Sequence, residues 1–379
     1  MKKTLNIILL RIHIILSYII PKKRNYYVFL PLHDKKKLSG NIKALLFYIV
    51  QNEKNINCAV VVSNTGIIRS LNKLNVKSAV SFFDIYWDLL RAEHIITDSV
   101  EFWYLEKGYF SIIQLWHGTG FKNIALLDEN VNEVLRPKLK NIYGQYSLIV
   151  ANSIDDKKRK EKSFGSKNVI ITGTPRNDLF FKGNVFTRIK AKYSLGSYAK
   201  IITYMPTFRD FKTYSPFTSF FWEQLQQYLV MNNYLFVIKK HPLDKYLEVP
   251  INFLNIKDIT NQTADVQEIL VITDLLITDY SGVVSDFVMT GRPVLIYAYD
   301  YEEYLKTCRS FYYDLEEILP KPFIKNENTL LEKIVDDTWF AKQEAVESYN
   351  NFRSRFHQYL DGNSSRRVVS EIMKLKKGS

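Results

Sequence analysis

The stretch LLITDYSGVVSDFVMTGRPVLIYAYDYEEY, Leu275–Tyr304, limits the folds open to this chain more than any other. Leu275–Thr278 is a short apolar run of the kind that forms a buried parallel strand. Asp279, Tyr280, Ser281 and Gly282 break that run. Val283–Met289 then carries apolar residues at helical spacing, and Gly291 with Pro293 stops it before a second apolar run, Val294–Tyr297. The reading is strand–turn–helix–strand. Such a turn aims the N–H groups of a helix N-terminus above the sheet, where an anion is favoured. Ser281 adds a hydroxyl, and Gly282 lets a ligand approach the backbone closely. Asp286, one helical turn on, is expected to face the same space. An N-capped helix of any α/β protein reads the same way, so this stretch alone leaves both meanings open.

The rest of the chain repeats the pattern. Tyr26–Leu32, Asn57–Ser63, His94–Thr97, Ser111–Trp116, Ser147–Ala151 and Val169–Thr172 read as strands, with helical patterns such as Gly40–Gln51, Asp84–Glu93 and Val131–Tyr143 between them. A second series runs through Ile201–Tyr204, Leu235–Lys239, Leu275–Thr278 and Val294–Tyr297, with helices at Phe217–Met231 and Asp265–Leu270. This alternation predicts parallel sheets covered on both faces. Two Rossmann-like halves are expected to join between Phe181 and Ala199, where Gly183, Asn184, Gly196 and Ser197 suit a linker. The expected domains are a helix at 1–24, a first Rossmann-like domain at 25–190 and a second at 191–379. A chain of 379 residues is long enough for two domains.

Charge matters through its distribution. The chain carries a net +13, and residues 1–37 hold nine Lys/Arg against the single acid Asp34. Within that segment Leu5–Ile20 is apolar but short for a span of ~20 residues, and Arg11 falls in its middle. Lys2, Asn6, His13 and Ser17 share one stripe of a helix. No small-residue cleavage site follows, which argues against a signal peptide. The pattern predicts a helix lying in a membrane interface with its cations on an anionic surface, the alternative being a core helix of the first domain. No nucleic-acid module accompanies the charge. Cys58 and Cys308 give neither a disulfide framework nor metal-ligand spacing, so a reducing compartment is expected; no His/Asp/Glu cluster in the sequence demands a metal, and metal dependence stays open.

Four further motifs follow predicted strand ends, where open α/β sheets bind ligands. Gln114–Phe121 contains His117 followed by Gly118, Thr119 and Gly120, and an imidazole there can take a proton near neutral pH. Thr172–Asp178 contains Pro175 and Arg176, and a guanidinium in a first helical turn can reach a phosphate bidentately. Tyr204–Asp210 offers Pro206, Thr207 and Arg209. Val237–Pro242 ends an apolar strand on Lys239, Lys240, His241 and Pro242. Each motif has a plain structural alternative: a turn-bonded histidine or a surface ion pair. Together they describe a site for a diphosphate. Neither a dinucleotide fingerprint nor a Walker motif is present, which excludes the common nicotinamide and P-loop classes.

Trp116–Thr119, Gly173–Asp178, Met205–Arg209, Lys240–Pro242, Thr278–Ser281, Gly291–Pro293 and Tyr299–Tyr304, in that order, resemble the CDP-glycerol glycerophosphotransferase family of teichoic acid synthesis (TagB/TagF type). The resemblance spans half the chain, from Trp116 to Tyr304. It implies a GT-B fold, with two Rossmann-like domains facing a cleft. It also implies peripheral attachment to the cytoplasmic face of a bacterial membrane, no cofactor, and transfer of glycerol phosphate from CDP-glycerol to a hydroxyl with release of CMP. By that resemblance His117–Phe121, Arg176, Pro206, Thr207, Lys240–Pro242, Ser281, Gly282 and Asp286 match donor-binding positions, and His117 matches the catalytic histidine. Gly282 departs from a serine common in the family. His117 is then expected as general base, with His241, Arg209 and Ser281 stabilising the leaving phosphate. The chain length favours a primase acting on a lipid-linked saccharide. A glycerol- or ribitol-phosphate polymerase and a glycosyltransferase using a nucleotide sugar are the alternatives.

Overall fold

In the computed structural model, residues 2–31, 37–80, 82–99, 109–209, 215–241, 244, 246–250, 252–262, 265–307 and 310–375 are described. The chain forms two compact units. The first comprises Met1–Gly118, Ile124–Asp178 and Asp361–Ser379, and the second Thr119–Asn123 and Leu179–Leu360.

The strands of the first unit are β1 (Lys23–Leu30), β2 (Asn57–Val61), β3 (Lys77–Ala79), β4 (Ala92–Thr97), β5 (Ser111–Gln114), β6 (Tyr146–Ala151) and β7 (Val169–Ile171). They pair in parallel in the order β3-β2-β1-β4-β5-β6-β7. Alternate side chains of each strand enter separate apolar layers. Val28, Leu30, Ile95 and Ile112 join one layer, and Tyr27, Phe29, Ile96 and Ile113 join the other. Burial on both faces explains why these strands read as unbroken apolar runs. Cys58 packs into the second layer, and burial pushes its thiol up to about 12. Cys308 lies outside the described residues.

The strands of the second unit are β8 (Lys200–Tyr204), β9 (Tyr234–Ile238), β10 (Ile256–Asp258), β11 (Leu275–Thr278), β12 (Val294–Tyr297) and β13 (Phe323–Ile324). They are parallel in the order β10-β9-β8-β11-β12-β13, the doubly wound arrangement of the first unit repeated. One face is filled by an aromatic stack in which Phe217 lies parallel to Phe221 at 4.4 Å and to Tyr297 at 5.5 Å. Such offset contacts add to the area buried.

Two boundaries differ from expectation. The segment read as a linker holds a helix, Val185–Lys192, whose Val185 and Ile189 join the second unit's core. Asn184 and Gly196, both at positive φ, punctuate this helix rather than loosen the chain. The division therefore moves from 190/191 to Asp178/Leu179. The C-terminal helix, Ser364–Leu375, returns to the first unit through Val368, Val369 and Ile372. Asp178 caps it, accepting from the Ser364 and Ser365 N–H groups at 2.8 Å each.

In the first helix, Lys2–Ile19, positions 13 and 17 of the polar stripe turn inward. His13 and Ser17 are buried. His13 Nδ1 lies 2.8 Å from the Tyr86 hydroxyl, and Ser17 Oγ accepts from the Tyr109 N–H at 2.9 Å. Ile12, Ile15, Tyr18 and Ile19 are instead 47–71% exposed. Among the described residues no helix is long and apolar enough to cross a membrane.

Candidate active site

In the first unit the turn after β5 carries His117 into solvent. Trp116 has φ 56° and Gly118 φ 151°, a conformation that side chains at these positions rarely adopt. Polar contacts hold it. Gln114 Oε1 accepts from the Trp116 N–H at 2.9 Å, and its Nε2 donates to the Ser99 carbonyl at 3.0 Å. His117 Nδ1 lies 3.2 Å from the Asp98 carbonyl oxygen, and its ring leans on Trp116 at 4.3 Å. A carbonyl only accepts, so Nδ1 carries a proton, and in the neutral ring the lone pair sits on Nε2.

Arg176 belongs to the same cluster. Its Nη1 donates to the His117 carbonyl at 2.6 Å. The guanidinium occupies the space a side chain at Gly118 would need, since a Cβ there would meet Nη2 at 2.9 Å. Behind this turn Thr174 Oγ1 bonds Asn152 Oδ1, whose backbone N–H donates to Asp156 at 2.9 Å. Lys160 Nζ sits 3.0 Å from Asp156 and donates to the Val150 carbonyl. Burial lowers the Lys160 ammonium's pKa. Burial alone would raise Asp156, but Lys160 and Arg159 outweigh it. This scaffold fixes the Arg176 turn, and the sequence reading missed it. Its signal was Ser153 ahead of Asp155 and Asp156, a helix start.

In the second unit the turns after β8 and β11 meet where the strand order reverses, the position at which such sheets take ligands. Asp279 joins them. It accepts from the Thr207 N–H at 3.0 Å and the Thr207 hydroxyl at 2.6 Å, and it lies 2.8 Å from Arg209 Nη1. Arg209 also makes a bidentate pair with Asp300, at 2.7 and 2.9 Å, and donates to the Thr207 carbonyl at 2.5 Å. It is 4% exposed, with the Tyr304 and Tyr280 rings 4.8 and 5.3 Å away. Burial opposes its charge, yet Asp279 and Asp300 outweigh burial and raise its pKa. One cation between two carboxylates is no anion site. The phosphate-holding place expected of Arg209 is corrected: it braces the two turns.

The other expected residues separate into reachable and structural ones. His241 is exposed, its ring 4.7 Å from that of Phe208. Pro206 and Ser281 are half-buried. Lys240 directs Nζ to the Leu247 carbonyl at 2.8 Å, and its N–H goes to Thr260. Pro242 lies outside the described residues. Thr119 and Gly120 run beside Gly282, where a Cβ would lie 3.2 Å from the Thr119 carbonyl oxygen. That approach accounts for glycine at 282.

Phe121 is wholly buried against Phe352 and Phe356, so its side chain anchors this loop rather than lining a site. Asp286 is likewise buried and accepts from Gln267 Nε2 at 3.0 Å, which corrects its expected exposure to the ligand space. The helix opening at Val283 has five residues before a tighter turn, Val288–Thr290, so its dipole is short. Among the described residues no group of three His, Cys, Asp or Glu side chains is placed to hold a metal ion.

Two doubly wound units with polar turns at their strand ends define a protein of the GT-B class. A structure of the wall teichoic acid polymerase TagF shares this fold, with a TM-score of 0.81 over 99% of this chain and 97% of that one, at 22% identity. Residues 12–374 match the CDP-Glycerol:Poly(glycerophosphate) glycerophosphotransferase family, and the chain belongs to it. The teichoic acid poly(glycerol phosphate) polymerase of Bacillus spizizenii is 29% identical over 97% of each chain. The teichoic acid glycerol-phosphate primase of that organism is 30% identical over 69% of this chain and 68% of its own. Its teichoic acid poly(ribitol-phosphate) polymerase is 26% identical over 94% of this chain, which spans 57% of that protein.

Proposed function

We propose that this chain transfers glycerol phosphate from CDP-glycerol to a hydroxyl of a lipid-linked acceptor in teichoic acid synthesis. The observation that carries the reading is His117, whose Nδ1–H points at the Asp98 carbonyl and leaves the lone pair on Nε2. The acceptor oxygen attacks the phosphorus that bears glycerol, and its proton passes to Nε2. The bond from that phosphorus to the oxygen of CMP breaks, and CMP leaves with the electron pair. Within the second unit His241, Ser281 and the backbone of Thr119–Gly120 supply donors for the diphosphate. Membership of the family supports CDP-glycerol as donor.

Chain length gives no preference for a primase, because the Bacillus spizizenii poly(glycerol phosphate) polymerase is matched over 97% of its own length. That likeness favours repeated addition as a second reading. The first helix supports a place on an anionic membrane surface. Its exposed Ile12, Ile15, Tyr18 and Ile19 lie in a segment that also exposes Arg11, Lys23 and Arg24. An apolar face joined to a basic patch gives two membrane signals where one would hold weakly.

The test is CMP or nucleotide release with a donor panel: CDP-glycerol, CDP-ribitol and several nucleotide sugars, each with a lipid-linked acceptor. Turnover is expected with CDP-glycerol. Turnover with a nucleotide sugar alone would replace the reading by glycosyl transfer, and preference for CDP-ribitol would change the transferred group. Product length separates one addition from many.

A further inference from the structure

We infer that Asn41 is the positioning residue for His117. The inference rests on His117 as the base of the proposed transfer. Trp116 and Gly118, on either side of His117, hold positive φ, and such a turn persists only where its surroundings over-determine it. Asn41, the second residue of the helix Gly40–Asn52 that follows β1, is 2% exposed and supplies that constraint. Its Nδ2 donates to the Trp116 carbonyl at 2.6 Å and lies 3.4 Å from the Leu115 carbonyl oxygen. Its Oδ1 accepts from the Arg176 backbone N–H at 3.1 Å.

The partners fix the amide's orientation, because a carbonyl can only accept and an N–H can only donate. Arg176 in turn donates to the His117 carbonyl. The His117 turn, Asn41 and Arg176 thus form a closed ring of hydrogen bonds within the first unit. One buried amide ties the base to the cation expected on the donor's phosphate. Gln114 braces only the near side of the turn, through the Trp116 N–H. Without Asn41 the two positive-φ residues can relax and carry the imidazole away from the Asp98 carbonyl.

Asn41→Asp tests this with little change of shape. Its carboxylate can still accept from the Arg176 N–H but cannot donate to the Trp116 carbonyl. Turnover with CDP-glycerol is expected to fall on the order of 10²-fold, the scale for a misplaced catalytic group, with KM changed far less. In the double variant with Arg176→Ala the loss is expected to fall short of the product of the single losses, since both residues act through one turn. The ring ¹⁵N shifts of His117, identified by their loss in His117→Gln, should report the Nδ1–H tautomer in the native protein and a mixture in Asn41→Asp.

In the native protein alone, the Arg176 amide should exchange slowly with solvent. That readout serves if the variants do not fold. Native turnover with unchanged ¹⁵N shifts in Asn41→Asp would overturn the inference, as would fast exchange at Arg176. If the native protein transfers nothing from CDP-glycerol while the His117 shifts still respond to Asn41, the proposed function fails and the positioning role stands.

Discussion

Arg209 shows how a single residue changes meaning between sequence and structure. A guanidinium two residues after Thr207 at a strand end reads as a phosphate ligand. Its partners Asp279 and Asp300 lie 70 and 91 positions on, and no local pattern announces them. Arg209→Ala should therefore act on stability first. It leaves two buried carboxylates without their cation, a loss of about 3–5 kcal/mol, measurable as a shifted denaturant midpoint. A midpoint like the native one, with weakened donor binding, would restore the ligand reading. Gly118→Ala should behave in the opposite way. The added methyl meets the tip of the Arg176 side chain and strains a residue held at φ 151°, so the fold should survive with a modest loss of stability while Arg176 is displaced and turnover falls. A melting temperature lowered by many degrees would place the damage in the fold instead. The exposed place of His117 on the turn after β5 was legible, because histidine followed by glycine at a strand end is a local signal. Asn41 was not, because its partners lie more than 70 residues away.

At the scale of elements, two strands buried on both faces were read to the residue, Leu275–Thr278 and Val294–Tyr297, while others differ at their ends, as Lys23–Leu30 does from the expected Tyr26–Leu32. The strands β3, β10 and β13 have two or three residues and are partly exposed, so they carry too little apolar pattern to stand out. The helix Ile154–Phe164 was missed because its sequence, IDDKKRKEKSF, is charged nearly throughout. Cys58 on β2 gives a prediction with a definite sign. Its buried thiol is raised to about 12, against ~8.5 in an unfolded chain. The contribution to stability is full below the unfolded value and declines as pH rises toward the folded one. At pH 8.5 alkylation mapped to Cys58 should be ~10³-fold slower in the folded protein than in denaturant. Comparable rates would show that β2 opens readily.

The first helix belongs to the same scale. Replacing Ile12, Ile15 and Ile19 by serine should abolish pelleting with anionic vesicles and leave the melting temperature near its native value, because these side chains face outward. High salt should release the native protein only partly, since screening acts on the cations and not on the apolar face. A large loss of stability in the triple variant would mean that this face packs inward.

For the whole molecule, the alternation of strands and helices was enough to expect two doubly wound sheets. The division between units was not legible, because the glycines near 183 and 196 mark helix ends as readily as linkers. Nor was the chain's route, in which Thr119–Asn123 joins the second unit directly after His117 and Gly118 in the first. The claim that ties these scales together is phosphoryl transfer with His117 as base. It is tested most directly by mass spectrometry of a lipid-linked acceptor incubated with CDP-glycerol and either the native protein or His117→Ala, alongside CDP-glycerol binding to each. The native protein should add glycerol phosphate units with one CMP released per unit. The variant should be slower by roughly 10²–10⁴-fold while binding the donor comparably. An acceptor left unmodified by the native protein, or a variant working at the native rate, would contradict the claim.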